Sequence, residues 1–189
     1  WVPSTTIAQQ AAPEVDRMKD LDEETAVAVA SLLSMVESLS VDEAIRRIQI
    51  EVALAPEIQD IRREFAGRLT EISIEQSPDF HVSVKLKGSG PVPQRQWATS
   101  AGSARVEFST GHAFTEEEFS RQLKGIRLQA QKSIPGFIGL TGYAGDNAAD
   151  VRIRGGAQDA QKYQGILLKL QRAFGVKLRF KTLEVPETN

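Results

Sequence analysis

An amphipathic helix, a strand, a short polar turn and a second alternating strand occur in that order twice in this chain. The first copy runs from about Val41 to Lys87. The second runs from about Thr115 to Arg154, followed by one more helix and one more strand. Each copy has a single apolar face, and a short antiparallel sheet with helices on one side is the natural way to bury such faces. The pattern predicts an α+β protein of two small lobes, each a short antiparallel sheet with helices packed on one face, plus an N-terminal helix. Residues 1–40 are read as an arm and a helix, 41–110 as the first lobe, and 111–189 as the second lobe with a C-terminal tail.

Local signals place the elements. Trp1 to Pro13 has no period and reads as an arm or linker. Val29, Leu32, Leu33 and Val36 repeat at helical spacing between Asp22 and Leu39. Ser40 with Glu43, and Thr115 with Glu118, have capping-box spacing. Pro56 interrupts or restarts the helix that Ser40 opens, and Gly67 ends the stripe of Ile58, Ile61 and Phe65. Leu69–Glu75 and Phe80–Leu86 alternate as two arms of a hairpin around Ser77-Pro78-Asp79. Gly88 to Gly102, rich in Gly, Pro, Gln and Ser, is read as a long loop, and Ala104–Ser109 as a third strand. In the second copy Phe137–Tyr143 and Val151–Arg154 flank a Gly145-Asp146-Asn147 turn. Ala157–Phe174 is a helix that Gly175 closes, and Val176, Leu178 and Phe180 alternate in a last strand.

Composition narrows the chemistry. With 41% hydrophobic and 25% charged residues the chain has ordinary globular composition. A net charge of −2 gives no electrostatic reason to expect nucleic acid or an anionic membrane as partner. The absence of cysteine excludes disulfides, zinc-thiolate sites and thiol nucleophiles. No apolar run approaches the ~18–20 residues of a membrane span. The chain opens on Trp1 with no initiator Met and no leader, so either a leader was removed or the chain was trimmed, and the expectation is an exported bacterial protein, periplasmic or secreted.

No catalytic constellation stands out. Asp79, His81 and Ser83 lie in a row along one strand, whereas a triad needs members that converge from different segments. His112 follows Gly111 in a loop, and two histidines without thiolates make a poor metal set. Asp146, Asn147 and Asp150 miss the EF-hand spacing and are read as a turn. Glu116, Glu117 and Glu118 are explained by the dipole of a helix N-terminus. Gly136, Gly139, Gly142 and Gly145 recur every third residue, either to slim a strand so that it bends or to let another backbone approach. His81, Lys85, Lys87, Arg152, Arg154, Lys177, Arg179 and Lys181 fall on the strand face away from the core. The chain is expected to be no enzyme and to hold no cofactor or metal.

The C-terminal third, in Ile134-Pro135-Gly136, the strand after it, Asp146-Asn147, Val151-Arg152-Ile153, a helix, Val176 to Phe180 and a Glu-containing tail, resembles the pro-regions of secreted bacterial chymotrypsin-like serine proteases of the α-lytic protease and streptogrisin type. Phe65 to Leu86 is similar to the first-lobe hairpin of such a pro-region. The resemblance implies a folding chaperone or inhibitor of a secreted serine protease, acting by strand addition and tail insertion. It implies partner-binding positions at Gly139, Thr141, Arg152, Arg154, Lys177 and Arg179 in the sheet, and at Leu183, Glu184, Val185 and Pro186 in the tail. No membrane insertion and no nucleic acid are implied. One departure from that family is that no protease domain follows Asn189, so the chain is read as either an excised pro-region or a free-standing relative. The helix at Asp22–Leu39 and the Gly88–Gly102 loop have no counterpart in the resemblance. The competing expectation is a periplasmic scaffold or ligand-binding module with Gly88–Gly102 and Gly111–Thr115 lining its site.

Overall fold

The computed structural model describes residues 23–183, so the expected arm and most of the expected tail, including Glu184, Val185 and Pro186, lie outside the described residues. The elements are α1 (Glu23–Glu37), α2 (Val41–Ala53), α3 (Ala55–Glu64), β1 (Leu69–Glu75), β2 (His81–Lys87), β3 (Arg95–Thr99) and β4 (Gly102–His112). They continue with α4 (Glu116–Ser133), β5 (Phe137–Tyr143), a short 3-10 turn (Ala144–Asp146), β6 (Ala148–Arg154), α5 (Ala157–Phe174) and β7 (Lys177–Leu183). The protein is α+β, with one sheet in the order β1-β2-β4-β3 and another in the order β5-β6-β7. It divides into two compact units, Trp1–Gly111 and His112–Asn189.

In the first unit Ile50, Leu54 and Ile61 of the α2–α3 segment pack on Leu69, Ile72, Val82, Val84, Leu86, Ala104 and Val106 of the sheet. The period-2 alternation of His81-Val82-Ser83-Val84-Lys85-Leu86 puts Val82, Val84 and Leu86 at zero exposure on that face. Leu54 caps α2 through its N–H to the carbonyl of Ile50, and Pro56 in the first turn lets α3 start there. The Ser40 hydroxyl accepts from the Glu43 N–H. The reciprocal half of that capping box does not form, because the Glu43 carboxylate turns to Arg46 and Arg47 instead.

Three expectations change here. Within the expected Gly88–Gly102 loop, Arg95–Thr99 is strand β3, paired antiparallel with β4 so that Trp97 faces Ala104. Its polar residues hide it, since an edge strand has no two-sided core to write an apolar alternation. On α1 the buried side is Ala30, packed with Leu33 against Ala44 and Ile48 of α2. Leu32 is instead 63% exposed and Val29 36%. The stretch Val27 to Met35 is apolar nearly all round, so its period carries no phase, and small Ala30 and Ala44 permit the closest approach. Helix α2 thus buries two sides, Ala44 and Ile48 towards α1 and Ile50 towards the sheet.

In the second unit the Thr115–Glu118 capping box forms in full, with the Glu118 N–H donating to Thr115 Oγ1 and the Thr115 N–H to Glu118 Oε2. Helices α4 and α5 supply Phe119, Ile126, Ala130, Leu167 and Leu170 to a core shared with Ala149, Val151, Ile153, Val176 and Leu178. β5 and β6 form the expected antiparallel hairpin. β7, however, runs parallel to β6. An alternating strand reads the same in either direction, and it is the crossover helix α5 between them that makes the pair parallel. Two backbone devices dock it. Gly175, at φ 67°, closes α5 in the left-handed region that glycine adopts at no steric cost. Asn147, also left-handed, donates from Nδ2 to the Gly175 carbonyl and accepts the Lys177 N–H on its own carbonyl.

Candidate interaction surface

Both helices of the second unit lie on one face of its sheet, and the strand alternation sends a different set of side chains to the other. Across the register this outer face reads Tyr143, Ala148, Lys177 in one row, Thr141, Asp150, Arg179 in the next, and Gly139, Arg152, Lys181 in the third. Arg154 and Leu183 form a fourth. Arg152, Arg154, Lys177, Arg179 and Lys181 are all exposed. The sequence-predicted sheet residues Gly139, Thr141, Arg152, Arg154, Lys177 and Arg179 are therefore brought together on one surface. Leu183, expected in the tail, is the last residue of β7, and its carbonyl accepts the Gly155 N–H at 3.2 Å.

One residue expected in a turn organises this face. Asp150 is 6% exposed on the central strand. Its Oδ1 accepts from Arg179 Nε at 2.8 Å and its Oδ2 from the Tyr143 hydroxyl at 3.2 Å. The Arg179 guanidinium also lies 5.7 Å from the Tyr143 ring centroid. Burial first, and then the Asp150 charge, hold the Tyr143 hydroxyl above its ordinary pKa, so it stays a donor. Arg152 donates to the Thr141 hydroxyl. A buried acid needs such partners, which is why a strand between two alanines and a valine tolerates it.

The strand β7 is one of the sheet's two outer strands, next to β6 alone. Lys177 N–H and the Leu183 carbonyl point inward to β6 and the chain beside it. Strand alternation therefore turns the backbone groups of Leu178, Phe180 and Thr182 outward. The Leu178 N–H is taken by Gln171 Oε1 at 3.1 Å, which leaves Phe180 and Thr182 as the outward-facing stretch.

The glycine run separates by position. Gly142 faces the core, where an added Cβ would stand 2.4 Å from Leu123 Cδ1 and 2.8 Å from Phe119 Cε1. Gly139 is on the outer side with nothing within 4 Å. The close approach at Gly142 is thus made by the protein's own α4.

Several basic side chains on the first unit's strands have acidic neighbours. Lys85 Nζ lies 2.9 Å from Glu71 Oε1, and His81 Nε2 lies 3.8 Å from Glu107, which also holds Arg105 at 2.7 Å. His81 Nδ1–H donates to the Asp79 carbonyl at 2.8 Å, so its ring is not oriented by an acid as in a triad. His112 Nδ1–H donates to the Gly145 carbonyl at 3.1 Å. Among the described residues no group of three His, Asp or Glu is placed to hold a metal ion, and no helix is long and apolar enough to cross a membrane.

A polar cleft of about 540 Å³ in the first unit is lined by Arg46, Arg47, Asp79, Phe80, Gln96, Ser103 and Arg105. Gln96 comes from the Gly88–Gly102 stretch expected to line a ligand site, but none of Gly111–Thr115 lines it. Arg47 donates to the Gln76 carbonyl and lies 5.6 Å from the Phe80 ring centroid. Hydrogen bonds from Arg46 and then from Arg47 lower the Glu43 pKa from the ordinary 4.5 to about 2. A carboxylate with a depressed folded pKa stabilises the fold above its ordinary value, and loses that contribution as pH falls through the folded value. Glu43→Gln is accordingly expected to flatten the decline of thermal stability between pH 4.5 and about 2 relative to the parent. Parallel melts across that window check it, and an unchanged pH profile would contradict the pairing.

No protein-family model matches the chain, and no curated protein matches it.

Proposed function

We propose that this chain is a non-catalytic exported interaction protein of the protease pro-region type, a folding chaperone or inhibitor of a secreted serine protease. Its working part in this reading is the second unit. The observation that carries it is β7, an outer strand of its sheet, whose backbone at Phe180 and Thr182 faces away from β6. Strand addition needs such an edge.

The test uses the full chain against α-lytic protease and streptogrisin-type enzymes. Inhibition is expected, and two changes should each weaken it at least about tenfold, the size of one lost central contact set. One is truncation after Leu183, which keeps β7 whole. The other is Thr182→Pro, which removes an outward N–H from the edge. Absence of inhibition by the parent chain, or inhibition unaffected by both changes, sinks the reading.

A second reading, a ligand-binding module, is favoured by the arginine-lined cleft of the first unit. Titration with small carboxylates and phosphate, followed by amide chemical shifts, distinguishes it, since only this reading places the shifts at Gln96, Ser103 and Arg105.

A further inference from the structure

The outer face of the second unit's sheet carries more positive charge than the fold pairs. Residues 112–189 contain 12 basic and 8 acidic residues, a net charge of +4, whereas residues 1–111 contain 11 and 17, a net charge of −6. The near-neutral total hides two oppositely charged units. Five of the second unit's cations, Arg152, Arg154, Lys177, Arg179 and Lys181, stand exposed on two neighbouring strands of one face. Asp150 is the only carboxylate in those rows, and it is paired with Arg179, whose side chain is still 60% exposed. Among the described residues Arg152, Arg154, Lys177 and Lys181 make no ion pair. The parallel register moreover sets Arg152 directly opposite Lys181. Like charges in that position are destabilising, so folding alone gives no reason for the arrangement, and an external counter-charge does.

We propose that this face docks an extended, carboxylate-rich segment of a partner protein. Alternate residues of a strand recur about every 6.6 Å. Lys177, Arg179 and Lys181 therefore form a row in step with acidic side chains at alternate positions of an extended chain. Single-stranded nucleic acid fits less well. Sheets that read it stack bases on exposed aromatic rings, and the one aromatic in these rows, Tyr143, is part-buried, bonded to Asp150 and beside Arg179. The proposal deepens the functional reading above and rests on the same sheet being open to a partner. It differs in using side-chain charge on the face, where strand addition uses backbone groups at the edge.

Fluorescence anisotropy with poly-L-glutamate tests it, with oligouridylate of matched charge alongside. At about 50 mM salt the full chain is expected to bind poly-L-glutamate, and at about 300 mM to release it, as screening shortens the reach of the charges. Arg152→Glu with Lys181→Glu should weaken binding at least about tenfold. The same charge change placed on α5, Lys169→Glu with Arg172→Glu, should cost less than about threefold. Lys181→Glu alone guards against a folding artefact. It sets a carboxylate opposite Arg152, so it should raise the melting temperature while still weakening binding. No binding at low salt overturns the proposal, and so do equal losses from the two double variants or tighter binding of oligouridylate. Thr182→Pro keeps the two readings apart, because it should weaken protease inhibition at least about tenfold and leave poly-L-glutamate binding unchanged.

Discussion

Ile153→Ala is expected to destabilise the second unit by about 2–5 kcal/mol, the range for removing a large aliphatic side chain from a packed core. Ile153 has zero exposure. It sits on the central strand, opposite Phe137 on one side and Thr182 on the other. The neighbouring strands on both sides are held by the sheet's own hydrogen bonds, so they collapse little into the space left behind. The cost should therefore fall in the upper part of the range. Equilibrium denaturation followed by hydrogen exchange at the β5–β7 amides reads it directly. A loss under about 1 kcal/mol would mean that this position is not in a close-packed interior.

Gly142→Val should cost the second unit about 3 kcal/mol, at the upper end for overpacking. The new Cβ would fall 2.4 Å from Leu123 Cδ1 and 2.8 Å from Phe119 Cε1. The end of Leu123 can swing aside. Phe119, 3% exposed, has nowhere to go without moving α4. Gly139→Ala, three residues earlier on the same strand, is the matched control, since its Cβ meets nothing within 4 Å. It should be neutral or slightly stabilising, by up to about 1 kcal/mol through reduced freedom of the unfolded chain. Thermal melts of the two variants side by side decide the point, and equal losses would contradict the assignment of their faces.

Much of the strand layout was legible from spacing. The Val82-Val84-Leu86 alternation marks a half-buried strand because one face must meet water. Gly175 after Phe174 marks a helix end because only glycine enters the left-handed region freely. Thr115 and Glu118 mark a helix start because the first backbone N–H groups need acceptors. Other features left no local trace. Arg95–Thr99 is a strand only because β4 offers a partner for it. The phase of α1 depends on which apolar side α2 meets. The single apolar face expected of each copy predicts one buried side for α2, whereas the fold buries two.

The candidate surface divides in the same way. That Arg152, Arg154, Lys177, Arg179 and Lys181 alternate with core residues is written in the chain, and so is their common side of the sheet. The burial of Asp150 and its pairing with Arg179 and Tyr143 are not, because they join β5, β6 and β7 across a register that only pairing defines. The sequence by itself determined the α+β class, most element positions and the inward or outward sense of most strand residues, since these follow from periods of two and 3.6 and from caps a few residues long. Tertiary structure alone decided the parallel docking of β7, the acid–base pairs of the first sheet and the unpaired cations Arg152, Arg154, Lys177 and Lys181 of the second. Charge balance at a surface depends on which strands become neighbours, and residues as far apart as Arg152 and Lys181 become neighbours only after folding.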